Sequence, residues 1–147
     1  MSVNIHPTAI VSDGASLGTD VTIGPYCTVG MHVTIGDRVT LHSHVVIDGH
    51  TSLGAGGEVF PFAVLGCPPQ HTRYAGEEST LEIGTDCVIR EHVTMHPGTA
   101  IDSMRTRVGN NGLFLVASHI AHDCVIGDHA IFANNASLGG HAKIGHH

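Results

Sequence analysis

Residues 21–47, VTIGPYCTVGMHVTIGDRVTLHSHVVI, carry an aliphatic residue at every sixth position: Ile23, Val29, Ile35, Leu41 and Ile47. The same step runs back through Leu17, Val11 and Ile5 and forward through Leu53, Val59 and Leu65. It resumes at Ile83, Ile89 and Met95, and again from Val108 through Phe114, Ile120, Ile126, Phe132 and Leu138 to Ile144. Four residues after each aliphatic comes a small or β-branched residue, as at Cys27, Val33, Val39, Val45, Ala63, Thr99 and Ser118. A glycine often follows the aliphatic directly, as at Gly18, Gly24, Gly30, Gly54 and Gly84.

A period of six is neither the 3.6 of a helix nor the 2 of an amphipathic strand. It fits a short strand followed by a tight turn, repeated. Each strand sends one large aliphatic inward. The turn takes the small residue inside and a glycine outside, where positive φ costs glycine least. Three hexads then close a triangular coil of 18 residues, and successive coils satisfy one another's backbone groups. The expected fold is all-β, a parallel β-helix shaped as a triangular prism. It forms one repeat domain over residues 1–147, with Ile23, Val29, Ile35, Ile47 and Ile126 in the core. Eight coils at ~4.8 Å would make a rod about 40 Å long.

The chain has 147 residues, 41% of them hydrophobic but only 4% aromatic, with no Trp, so the core must be aliphatic. A charged fraction of 13% excludes a disordered chain. Six Lys and Arg against 13 Asp and Glu give a net charge of −7, which argues against nucleic-acid or anionic-membrane surfaces. No apolar run approaches the ~20 residues that span a bilayer, and residues 1–7 lack the features of a signal peptide. Cys27, Cys67, Cys87 and Cys124 match no zinc spacing and read as reduced thiols of a cytoplasmic protein.

Two segments interrupt the hexads: 66–80, GCPPQHTRYAGEEST, and 101–107, IDSMRTR. The first takes the room of about two and a half hexads and the second shifts the frame by seven. Insertions in solenoids become surface loops and often carry function. The hexads run to residue 147 without a terminal cap. Either the chain is a piece of a longer one or a partner covers the end.

Among 14 histidines the sharpest cluster is SHIAHDC, residues 118–124. Histidine exchanges protons near neutral pH. A spacing of 18 stacks His141 over Asp123 and Gly140 over His122. A residue without a side chain beside a candidate base leaves space for substrate and exposes an N–H to an oxyanion. A zinc site from His119, His122 and Cys124 has suitable ligand types, but HxxHxC is not a recognised spacing. A merely structural His122 is the other reading. There is no nucleophile elbow, P-loop or dinucleotide fingerprint.

The stretches HPTAIV (6–11), SHVVIDGHTSLG (43–54), QHTRYAGE (70–77), HIAHDCVIGD (119–128) and ANNASLGGH (133–141) resemble the bacterial UDP-N-acetylglucosamine O-acyltransferases of the hexapeptide-repeat class. The resemblance covers the chain in order, with RYAGE, HIAHDC and ANNASLGGH its specific parts. It implies a left-handed coil and transfer of a 3-hydroxyacyl chain from acyl carrier protein to the 3-position of the UDP-sugar, opening lipid A synthesis. It makes His122 the general base, Asp123 its charge partner and Gly140 the oxyanion N–H. His119 and His141 would line the substrate cleft, and Arg73 would reach the donor or the nucleotide phosphates. His71 stands where many members carry an Asp, which leaves a 3-hydroxyl or a 3-amine as acceptor. The resemblance implies no metal, no cofactor beyond the acyl donor, a homotrimer, and a longer parent with further coils and a helical C-terminal domain. A lipid A N-acyltransferase, a coenzyme A-dependent acetyltransferase and a non-catalytic or carbonic-anhydrase-like scaffold are the alternatives.

Overall fold

The fold is a parallel β-helix, described over residues 2–147 of a computed structural model. Three seven-stranded sheets form its faces, and every strand pair within them is parallel. Strands of the first face include Thr22–Ile23, Thr40–Leu41 and Glu58–Val59. The second includes Val64–Leu65, Thr94–Met95, His119–Ile120 and Ser137–Leu138. The third includes His50–Leu53, Thr80–Ile83, Arg105–Val108 and Val125–Ile126. Most strands are two residues long, one facing out and one in. The inward row holds Ile23, Val29, Ile35, Ile47 and Ile126, each no more than 2% exposed. The small-residue track closes the corners of the core at Cys27, Val33, Val39, Val45 and Ala63.

The coils number seven rather than the eight expected from length. Between Glu58 and its partner Val88 lie twelve residues more than one coil, and between Val88 and its partner Leu113 seven more. Together the insertions consume about one coil of chain. The first segment, fifteen residues long, adds two whole hexads to its coil, which is why the frame returns unchanged at Ile83. The second loop ends sooner than the sequence suggested. Residues 105–107 belong to the strand Arg105–Val108, pairing with Thr80–Ile83, because Thr106 and Val108 alternate inward between exposed arginines.

The glycine expectation fails in an informative way. Positive φ falls mostly on non-glycine residues just before the small inward residue, such as Asp20, Tyr26, Arg38, His44 and Asp123, with φ between 57 and 60°. Polar short side chains tolerate that region best, and the tight corner demands it of every coil. The glycines after the aliphatics answer a different constraint, the close stacking of coils. A Cβ on Gly54 would lie 2.5 Å from the backbone of Gly84, and one on Gly24 would lie 2.8 Å from the His42 carbonyl.

Both insertions leave the helix at the same corner, where the second face turns into the third. One joins Val64–Leu65 to Thr80–Ile83 and the other joins Thr94–Met95 to Arg105–Val108. In the next two coils that same corner carries His122 with Asp123, then Gly140 with His141.

Candidate active site

Asp123 occupies the left-handed corner position, φ 60°, just before the inward Cys124. The corner turns its carboxylate sideways under the preceding coil, where it is 2% exposed. There Thr99 donates to it twice, from N–H at 2.9 Å and from its hydroxyl at 2.6 Å. The Asp123 N–H in turn donates to Thr106 Oγ1 at 2.9 Å. Burial pushes the Asp123 carboxyl up, but the Thr99 hydroxyl, the Thr99 N–H and the His122 ring outweigh it and hold it below its ordinary value. Asp123 is therefore an anion at neutral pH.

His122 Nδ1 lies 3.0 Å from Asp123 Oδ2. An ionised carboxylate only accepts, so Nδ1 carries the proton and donates. The neutral ring then keeps its lone pair on Nε2, the arrangement a general base requires. The ring is boxed in: His71 and His141 pack edge-on against it at 4.9 and 5.0 Å between centroids. Gly140 lies flat against it, and a Cβ there would stand 2.3 Å from His122 Cε1 and 2.5 Å from Nε2. The sequence reading took Gly140 as open room for substrate. That reading is corrected: the room a side chain would need is filled by the imidazole itself. The Gly140 N–H donates to no backbone carbonyl among the described residues, whereas the next N–H, of His141, binds the His122 carbonyl at 3.0 Å.

His141 does not pair closely with Asp123, from which its Nδ1 lies 4.0 Å. Its nearer partner is Asp102 Oδ2 at 2.6 Å, on the second insertion. His119 Nδ1 is bonded to Thr94 Oγ1 at 2.7 Å, and burial keeps the His119 ring below the usual imidazole range. His96 packs edge-on against His119 at 4.9 Å. Burial, with smaller contributions from His119 and His122, lowers His96 to about 4. Arg73 is exposed, and its N–H caps the loop by donating to His71 Nδ1 at 3.1 Å.

The HxxHxC zinc reading does not survive. Cys124 is fully buried in the core, its thiol on the Gly139 carbonyl. The group that does converge is His122, Asp123 and His141, with possible ligand atoms within 4.8 Å of one another. Glu77, His96, Thr99 and Asp102 were not anticipated. Thr99 sat on the small-residue track and read as core. Asp102 and Glu77 lay in insertions whose shared corner only the register reveals. Cavities of about 400 Å³ lie away from this cluster, one beside Arg107 and Asp128 and one beside Ile131 and Phe132. Neither gathers a proton-transfer group with its partner, so chemistry rather than volume marks the site.

Residues 14–49 match the model of the bacterial transferase hexapeptide (six repeats). The chain is 58% identical over 124 residues to the acyl-[acyl-carrier-protein]–UDP-N-acetylglucosamine O-acyltransferase of Azorhizobium caulinodans, covering 84% of this chain and 46% of that protein. It is 56% identical to the enzyme of the same name from Verminephrobacter eiseniae, covering 96% and 54%. A solved UDP-N-acetylglucosamine acyltransferase superposes with a TM-score of 0.96 at 45% identity, covering 97% of this chain and 55% of the other. The chain is a relative of the UDP-N-acetylglucosamine O-acyltransferases. It spans about half the length of the curated relatives it matches. The coil is left-handed, as in the solved UDP-N-acetylglucosamine acyltransferases. Among the described residues no helix is long and apolar enough to cross a membrane.

Proposed function

We propose that this chain carries the acyl-transfer centre of an enzyme that moves a 3-hydroxyacyl group from acyl carrier protein to the 3-position of UDP-N-acetylglucosamine, the first step of lipid A biosynthesis. The observation that carries the reading is His122 held between the Asp123 anion and the Gly140 backbone. The acceptor's oxygen, or nitrogen, attacks the thioester carbonyl as His122 Nε2 takes its proton. The Gly140 N–H receives the oxyanion. When the tetrahedral adduct collapses, the carrier's thiol leaves and recovers the proton from the imidazolium, which Asp123 has stabilised meanwhile. A thioester asks for a base, an oxyanion donor and held geometry, and no metal. His71, His119, His141 and Arg73 bind substrates in this reading.

In this reading a second copy of the chain supplies the opposing wall of the cleft. The assembly is a homotrimer with this corner at the subunit boundary, acting in the cytoplasm on soluble acyl carrier protein and UDP-sugar. The test is His122→Ala in the full-length parent with an acyl carrier protein thioester. General base catalysis contributes typically 10²–10⁴-fold, so turnover should fall by roughly that factor while the fold persists. His129→Ala, distant from Gly140, should change the rate little. Near-normal turnover in His122→Ala would remove His122 as the base. Comparing a 3-hydroxyl with a 3-amino sugar in the same assay decides the acceptor.

A further inference from the structure

The two insertions are tied together by one side chain. The Glu77 carboxylate accepts the N–H of Ala75 within its own loop at 2.8 Å and the N–H of Ala100 in the other insertion at 2.8 Å. Those bonds, Ala100 first, hold the carboxyl below its ordinary value, so both oxygens are acceptors at neutral pH. Each end of this tie leads to His122. Ala100 adjoins Thr99, whose N–H and hydroxyl fix Asp123. Ala75 lies in the loop that packs His71 against the His122 ring. Among the described residues Glu77 makes no hydrogen bond to His122 or Asp123, yet it joins the two loops that hold them. We propose that Glu77 is a positioning residue that locks the Asp123–His122 pair, and that this lock, resting on the acyl-transfer reading, keeps His122 in the Nδ1–H tautomer.

The isosteric change Glu77→Gln tests it, because an amide NH₂ set against a backbone N–H is donor against donor and one of the two bonds must break. The first readout needs no turnover. In uniformly ¹⁵N-labelled full chain, wild type should show a single neutral His122 tautomer, protonated at Nδ1, and a slowly exchanging Thr99 N–H. Glu77→Gln should show mixed tautomers and faster Thr99 exchange at unchanged thermal midpoint. The second readout is kinetic, in the full-length parent. A misplacement near 1 Å can cost ~10²-fold, so turnover should fall by roughly 10- to 100-fold with much less change in KM. The control Glu78→Gln, on the exposed neighbour, should alter neither readout. Should Glu77→Gln fail to fold, Glu77→Asp replaces it, keeping the charge while falling one methylene short of Ala100. A single tautomer with unchanged Thr99 exchange in the folded variant overturns the proposal. A tautomer change in a protein whose wild type shows no acyl transfer leaves the positioning role standing and removes the reaction instead.

Discussion

Gly140 and His122 are in contact without any side chain on Gly140: a Cβ there would stand 2.3 Å from Cε1 of the ring. Gly140→Ala therefore cannot be absorbed by a small shift of a flexible group. The imidazole must rotate or withdraw, and the hydrogen bond from Nδ1 to Asp123 goes with it. The expected outcome is a folded protein with turnover lowered by about the factor general base catalysis supplies, 10²–10⁴. Steady-state kinetics alongside circular dichroism on the full-length parent check this. Normal turnover would show that the ring position is not critical.

The coil-stacking glycines separate a steric role from a conformational one. Gly54 has no positive φ, yet its Cβ would meet backbone atoms of Gly84 at 2.5 Å. Backbone cannot step aside as a side-chain tip can, and overpacking of this kind costs typically ~1–3 kcal/mol. Gly57, inside the same coil and without positive φ, would bring its Cβ no nearer than 3.4 Å, to a side-chain carbon of Leu53. Urea unfolding should place Gly54→Ala well below wild type and leave Gly57→Ala much nearer to it. Equal midpoints would refute the stacking argument.

These glycines also show where sequence reading stopped. Their period revealed the repeat, but their cause depends on how closely one coil lies on the next, which no single coil records. The inward aliphatics were legible because burial imposes a strict period on them: Ile23, Val29, Ile35 and Ile47 fall as the hexads require. His122, Asp123 and Gly140 were legible through their motif and through stacking by 18. Asp102 was not, because the second insertion breaks that stacking. Its carboxylate reaches His141 across 39 positions of sequence. Thr99 was hidden for the opposite reason. It obeys the repeat so well that its inward hydroxyl looked like ordinary core, and only the coil beyond it shows a carboxylate to receive it.

Acid should loosen this corner in a defined window, and His96 is the group that sets it. The ring is buried, its Nδ1 has no hydrogen-bond partner among the described residues, and it is held at about 4. The histidines facing it, His119 and His122, oppose its charging further. An unfolded chain protonates the same histidine near 6.5. Between those values the unfolded state binds a proton that the folded state refuses, so stability is full above pH ~6.5 and falls as pH drops toward 4. The span corresponds to at most ~3 kcal/mol. His119, also lowered by burial, acts in the same direction. Asp123 acts in a separate, lower window, since its lowered carboxyl gives up its contribution only below the ordinary carboxylate range. His96→Gln is neutral throughout, so its urea midpoint should change clearly less than that of wild type between pH 7 and pH 4.5. If the two proteins lose stability in parallel over that interval, His96 does not carry the acid sensitivity.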